Sequence, residues 1–359
     1  MPRLKRVDCS APGWTRRKNG RGFVYLDADG ERLTDPEELL RIRGLAIPPA
    51  WKDVWICPHP NGHLQAVGTD AAGRRQYLYH EMWRKRRDAQ KFENMLDFAR
   101  ALPSMRATCA AHLTREDLSR ERVLACAVRL LDRGFFRIGT EGYAEQNQTY
   151  GLATIQKKHC KLLPGNAILF DFIGKGGLRR IQAIVDAEVF EIVQALKKRR
   201  GGSPELLAYK IGGRWCDVRS HDINAYVKEL SGGEFTAKDF RTWNATVLAA
   251  VTLAVSAPAA ASRTAGKRAM TYAVRTVAHY LGNTPAVARS SYIDPRVFDR
   301  YRSGWTISGA IGSLGEDIDL GAPSTQGAIE EAVLELLADN RESDAVEKVG
   351  DFEEIGLSA

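Results

Sequence analysis

No stretch of this 359-residue chain approaches the roughly 18 apolar residues of a membrane-spanning helix. Its first residues are basic and lack the apolar run of a signal peptide, so the expectation is a cytoplasmic protein of the reducing interior. Cysteines are few: six, at positions 9, 57, 109, 126, 160 and 216, with no CxxC and no zinc-knuckle spacing. The seven histidines are scattered and form no HExxH. No GxxxxGK[ST] phosphate loop occurs, so ATP use is not indicated. Cys57, His59 and His63 share one loop, where turn packing is preferred over a metal. No metal or cofactor is assigned.

What is present is an ordinary globular composition, 44% hydrophobic and 27% charged. The length allows two domains or one large one. The net charge of +8 conceals an asymmetry, because residues 304–359 hold 13 acidic residues and only Arg341 and Lys348 as basic ones. Residues 1–303 therefore carry 50 basic and 31 acidic residues, a net of +19. A surplus of that size implies a polyanionic partner, nucleic acid first, over a merely solvated basic surface.

The first 90 residues read as a small mixed, β-rich domain. Strands are expected at 22–26, 51–56, 64–68 and 75–79, with Asp29-Gly30 as a tight turn. In the last of these, alternation sets Tyr77 and Tyr79 on one face and Gln76 on the other. From about residue 91 to 303 the pattern becomes mainly helical. Thr114 with Asp117 fits a capping box ahead of Leu124, Ala127, Val128 and Leu131 at helical spacing. Ile168, Phe170 and Phe172 alternate up to Gly174-Lys175-Gly176-Gly177, predicting a hairpin with Lys175 at or beside its tip. A second hairpin is expected around Gly212-Gly213. Thr236 with Asp239 opens a helix through Arg241 to about Val255, and Thr284-Pro285 opens another to about residue 293. Residues 304–359 form an acidic tail with one amphipathic helix, carrying Ile329, Val333, Leu336 and Leu337 on a face, read as peripheral.

Five polar segments sit at a turn or helix start rather than on a random charged face: Arg137-Ile138-Gly139, Gly174-Lys175-Gly176, Lys238-Asp239-Phe240-Arg241, Gly282-Asn283 and Ser291-Tyr292. Each alone is weak, since an arginine at a helix end is usually a salt-bridge or dipole partner. In this order they resemble the catalytic set of the type IB DNA topoisomerases, in the poxvirus-like and bacterial branch. The resemblance also runs through Pro12-Gly13-Trp14, Ile47-Pro48-Pro49-Ala50-Trp51, Gly73-Arg74-Arg75-Gln76-Tyr77-Leu78-Tyr79-His80 and Tyr150-Gly151-Leu152. It covers nearly the whole chain and the acidic tail least.

The resemblance implies an α+β fold, with a β-rich domain and a mainly helical catalytic domain of the tyrosine recombinase and topoisomerase IB type, forming a clamp around DNA. It implies Tyr292 as nucleophile on a DNA phosphodiester, Arg137 and Arg241 on the non-bridging oxygens, Lys175 as general acid, and Asn283 as a hydrogen-bond donor. Many relatives have histidine at that last position, and asparagine fits the bacterial branch. Arg74, Arg75, Gln76, Tyr77 and Tyr79 match positions that touch DNA, though Gln76 needs a twist or bulge to join the tyrosines. The expected enzyme relaxes supercoiled duplex DNA as a nucleoid-associated monomer without nucleotide. Two alternatives stay open. A tyrosine site-specific recombinase shares the catalytic logic but typically has HxxR where this chain has Lys238-x-x-Arg241, and its partner domain is helical. A non-catalytic DNA-binding protein on the same fold would account for the charge. For the acidic tail, the expectation is that it folds on the basic surface and competes with DNA.

Overall fold

The computed structural model describes residues 3–257, 262–314 and 323–350. The chain divides into two compact units, Met1–Glu93 and Asn94–Ala359.

In the first unit, β1 (Trp14–Asn19), β2 (Gly22–Leu26), β3 (Lys52–Ile56), β4 (Leu64–Thr69) and β5 (Arg75–Tyr79) form one antiparallel sheet in the order β2-β1-β3-β4-β5. Leu26 bridges Arg32 across the Asp29-Gly30 turn as the dipeptide predicts. The short helix α1 (Pro36–Gly44) is capped by the Asp35 carboxylate, which accepts from the Glu37 N–H. Ile42 from this helix packs with Ile47, Val54, Ile56 and Ala66 under the sheet. The loop holding Cys57, His59 and His63 is closed by hydrogen bonds, with Lys5 and Val7 of the N-terminal segment on the two histidines. Cys57 Sγ accepts from the His59 N–H, and the buried Gln65 amide donates to the carbonyls of His59, Pro60 and Gly62.

Helix α2 (Glu81–Leu113) starts ten residues before the position predicted from sequence. Its first turns, including Arg84-Lys85-Arg86-Arg87, are exposed on nearly every side, so no apolar period marks them. A Glu81–Lys85 ion pair at 2.8 Å supports this end instead.

The second unit continues with α3 (Arg120–Gly134) and α4 (Glu141–Asn147), then β6 (Cys160–Leu163), β7 (Ala167–Ile173) and β8 (Arg179–Val185) in a three-stranded sheet. After these come α5 (Ala187–Lys198), the β9 (Ala208–Ile211) and β10 (Arg214–Asp217) hairpin, α6 (Ser220–Ser231), α7 (Ala237–Ser256), α8 (Arg263–Leu281), α9 (Pro285–Ser291) and α10 (Pro295–Arg302). Leu124, Ala127, Val128 and Leu131 of α3 are buried as their spacing requires. The cap ahead of them is corrected, however: Ser119 holds the N-cap position, and Thr114 instead closes the end of α2 by donating to the Ala111 carbonyl. Thr236 caps α7 and Thr284 caps α9, both in their predicted places.

The peripheral character expected of the C-terminal helix is also corrected. After β11 (Trp305–Thr306) and α11 (Ser308–Ser313), helix α12 (Pro323–Leu337) buries Ile329, Ala332, Val333, Leu336 and Leu337, none more than 3% exposed. It packs on α7 and α10, and β12 (Glu347–Lys348) returns to pair with β11. The physical reason is an ionic anchor as well as an apolar face. Glu330 takes hydrogen bonds from Arg106 and from the Trp243 indole N–H, and the same Arg106 forks onto Asp132. The acidic residues at 316, 317, 319, 351, 353 and 354 lie outside the described residues, and with them the expected competition of the tail with DNA.

Candidate active site

Arg137 follows α3 after a left-handed Phe135, with φ of 52°. Phe136 is buried against Phe170 and Phe172 of the hairpin strand, with ring centres at 5.1 and 6.1 Å, which pins the segment. The backbone beyond it is held by Leu152 N–H donating to the Arg137 carbonyl and Ala153 N–H to that of Ile138, at 2.8 and 2.7 Å. Gly139 and Gly151 let the two backbones meet: a Cβ on Gly151 would lie 2.5 Å from the Gly139 nitrogen and 2.7 Å from the Arg137 oxygen. This contact gives a physical reason for both glycines in the matched motifs.

The last carbonyls of α8 and that of its cap residue Gly282 are taken by three arginines from three separate stretches of the chain. Arg180, on β8, donates to His279 O at 3.0 Å and Tyr280 O at 2.5 Å. Arg241, on the first turns of α7, donates to Leu281 O at 3.0 Å and also to Phe135 O. Arg137 donates to Gly282 O at 3.0 Å and to the Asn283 side-chain oxygen. Carbonyls at a helix C-terminus carry about half a negative charge between them, which offsets the crowding of three cations. Burial lowers the pKa of all three guanidiniums, and the charge of Arg137 adds to the effect on Arg180 and Arg241. They remain cationic, because an arginine does not deprotonate in a protein.

The bond from Arg137 also orients Asn283. A guanidinium has no acceptor, so the amide atom facing it is Oδ1 and Nδ2 points the other way. Nδ2 is buried with no hydrogen-bond partner among the described residues, and Asn283 is one of the groups that lower the pKa of the Tyr292 phenol.

Tyr292 caps the C-terminal end of α9, its N–H bonded to Ala288 O at 3.1 Å. Its ring centre lies 5.3 Å from the Arg241 guanidinium carbon. Burial alone would raise the phenol, but the charge and hydrogen bond of Arg241, then Arg137 and Asn283, outweigh it and pull the pKa below the usual value of 10. The segment is fixed from behind by Thr246 of α7, fully buried, whose hydroxyl lies 3.3 Å from Tyr292 O and accepts the Asp294 N–H at 3.2 Å.

Lys175 stands exposed in the β7–β8 turn, where Gly176 and Gly177 have φ of 79° and 75°. It lines a cleft with Arg137, Arg180 and Arg241, walled by Tyr150 and Phe172. The structure thus joins Arg137 to Asn283 and Arg241 to Tyr292 at one end of α8, and sets Lys175 on the cleft shared by the two arginines. Sequence reasoning missed Arg180 and Thr246. A signal existed for the first, because Arg180 pairs with Phe172 and Ile184 with Ile168, putting an arginine on the buried face of the hairpin.

In the first unit, Tyr77 and Tyr79 stack with ring centres 6.2 Å apart on the exposed face of β5. Gln76 faces the other way and donates to Asp70 at 2.9 Å, and Arg74 forms an ion pair with the same carboxylate at 2.8 Å. The bulge in this strand pair lies between Leu64 and Ala66 of β4, so it does not turn Gln76 toward the tyrosines. Arg75 lies over Tyr77, 6.0 Å from its ring centre. Among the described residues no group of three His, Cys, Asp or Glu is arranged to hold a metal, and no helix is long and apolar enough to cross a membrane.

Comparison with known proteins matches residues 80–305 to the family of the eukaryotic DNA topoisomerase I catalytic core and residues 22–70 to the N-terminal domain of bacterial DNA topoisomerase IB. The DNA topoisomerase 1B of Acanthamoeba polyphaga mimivirus is 31% identical over 298 residues, covering 81% of this chain and 88% of that protein. This chain belongs to the type IB DNA topoisomerase family. It is therefore an isomerase acting on DNA, and the recombinase alternative falls. More distant relatives include the DNA topoisomerase 1B of vaccinia virus, 20% identical over 65% of this chain and 71% of its own. The DNA topoisomerase 1 alpha of Arabidopsis thaliana is 27% identical over 45% of this chain, a stretch that makes up only 16% of the plant protein.

Proposed function

We propose that this topoisomerase relaxes duplex DNA by cutting one strand at Tyr292, letting the free end swivel, and resealing. The phenol oxygen of Tyr292 forms a bond to the phosphorus, and the bond from phosphorus to the 5′-oxygen breaks. The phenol proton passes to water, and Lys175 gives a proton to the departing 5′-oxygen. Resealing is the reverse step. The 3′-phosphotyrosyl link retains the energy of the broken bond, so no nucleotide is needed.

Arg137 and Arg241 supply the guanidinium donors for the non-bridging oxygens, and the Nδ2 of Asn283 supplies a further donor. Each such donor contributes about 3–4 kcal/mol, by analogy with an oxyanion hole. These groups act without reorganising because each is tied to the end of α8 or to a neighbour of it. Tyr77, Tyr79 and Arg75 contribute DNA contacts from the exposed face of β5, and the basic surplus carries most of the affinity. One active site suffices for a transient single-strand break, so the enzyme acts as a monomer, on the nucleoid.

The observation that carries this reading is the convergence of Arg137, Arg241 and Asn283 on a phenol whose pKa they lower. The test is relaxation of supercoiled plasmid in EDTA without ATP, by the wild type and by Tyr292→Phe. The wild type relaxes the plasmid, and the variant forms no covalent adduct while binding DNA nearly as tightly. Wild-type-like relaxation by the variant would remove Tyr292 from the mechanism.

A further inference from the structure

Arg180 stands on β8 just beyond the turn that carries Lys175, yet its guanidinium is on the end of α8. Three contacts define its path. Its stem passes the turn so closely that a Cβ on Gly174 would lie 3.1 Å from Arg180 Cγ. Its head reaches the carbonyls of His279 and Tyr280. It then rests on Gly282, where a Cβ would meet Nη1 at 2.6 Å and Cζ at 2.9 Å, and where φ is 61°. Glycine at both ends leaves room for this path. Across the sheet, Arg180 pairs with Phe172, and the next residue on its face, Gln182, donates to Gly134 O at the end of α3.

We propose that Arg180 is a positioning residue, a latch that docks the β7–β8 hairpin on the C-terminus of α8 and thereby sets Lys175 over the cleft. The turn is closed by backbone bonds from Gly174 N–H to Leu178 O and from Gly177 N–H to Gly174 O, while Lys175, Gly176 and Gly177 are exposed and the two glycines sit at positive φ with open space around them. Those bonds shape the turn but do not hold the lysine head, whereas a general acid must meet its leaving oxygen at hydrogen-bond distance. The partners of Arg180 suit a latch. They are two successive carbonyls, so the planar fork defines direction as well as distance, which a single ammonium does not. The bond is made to the helix whose following residues, Gly282 and Asn283, are held by Arg137, so the hairpin is referenced to the same end as the rest of the site.

This inference rests on the reading of Lys175 as the acid, and the two are separable by the leaving group. Single-turnover cleavage is measured on a duplex with the ordinary 5′-oxygen and on one with a bridging 5′-sulfur, which departs as a thiolate without protonation. Lys175→Ala is the reference and should be slow on oxygen and restored on sulfur. If sulfur fails to restore Lys175→Ala, the assignment of Lys175 falls and the latch with it.

For Arg180→Ala the latch predicts a loss of about 10- to 100-fold on oxygen, the scale expected of a misplaced catalytic group. It predicts a loss of no more than a few-fold on sulfur and unchanged DNA affinity. Arg180→Lys keeps the charge without the fork and should fall short of wild type on oxygen alone. That milder variant carries the test if the alanine form does not melt cooperatively. Equal losses on both substrates, or no loss on oxygen, would overturn the latch.

Discussion

The guanidinium of Arg241 lies over the ring of Tyr292, its carbon 5.3 Å from the ring centre, while two of its five N–H groups donate to the carbonyls of Phe135 and Leu281. Arg241 is 4% exposed, so its charge faces the phenol with little solvent between them. The phenol is the attacking group as phenolate, and its fraction rises with pH through its pKa. With that pKa below 10, the single-turnover cleavage rate should rise with pH through an inflection below pH 10 and then level off. Arg241→Gln removes the largest influence that lowers the pKa, so the inflection should move to higher pH as the plateau falls. An inflection left in place by that variant would contradict the electrostatic account.

Thr246 holds the nucleophile from behind. Its hydroxyl proton is shared between Thr242 O at 3.0 Å and Tyr292 O at 3.3 Å, and its oxygen accepts the buried Asp294 N–H. Thr246→Val keeps the shape but strands that N–H, which costs about 1–3 kcal/mol. Urea unfolding should register this loss, and the cleavage rate should fall with DNA affinity unchanged. Thr246→Ser, which keeps the hydroxyl, should restore most of both.

The hairpin, the α7 cap and the α9 cap were legible because each is written in local chemistry: alternation ending in glycines, Thr-x-x-Asp, and Thr-Pro. The start of α2 was not, because a helix exposed on nearly every side has no apolar period to read. The convergence on α8 was likewise illegible. Arg137, Arg180 and Arg241 come from separate stretches, and only the fold shows that their shared partner is a row of backbone carbonyls with no sequence signature. The order of motifs located the chemistry, but it could not tell that Asn283 is oriented by Arg137.

Composition misled most at the C-terminus. The acidic surplus there suggested an appendage, whereas Glu330 belongs to a largely buried network with Arg106, Asp132 and Trp243. Removing one partner of such a network costs about 3–5 kcal/mol, because the charge left behind is unpaired. Glu330→Ala should lower the melting temperature of the full chain accordingly. Ending the chain after Gly304 removes all of α12 and should give a protein without cooperative unfolding. A stable, active truncated enzyme would disprove this placement of the helix.

The exposed face of β5 supports a prediction about which of its residues touch DNA. Tyr77 and Tyr79 are 45% and 40% exposed and stacked, presenting two hydroxyl-tipped rings beside Arg75. Gln76 and Arg74 are instead engaged by Asp70, whose pKa is drawn down to about 2, chiefly by Arg74. For Gln76 to reach DNA it would have to give up that bond. Tyr77→Ala and Tyr79→Ala should therefore weaken binding to a nicked or intact duplex, while Gln76→Ala leaves it within about twofold. The salt dependence separates the modes of contact. Arg75→Ala should reduce the slope of log affinity against log salt by about 1 if it neutralises one phosphate. The tyrosine variants should shift the line without changing its slope, since a hydroxyl or a ring releases no counterion. A strong loss from Gln76→Ala with none from the tyrosines would place the DNA on the opposite face of the strand.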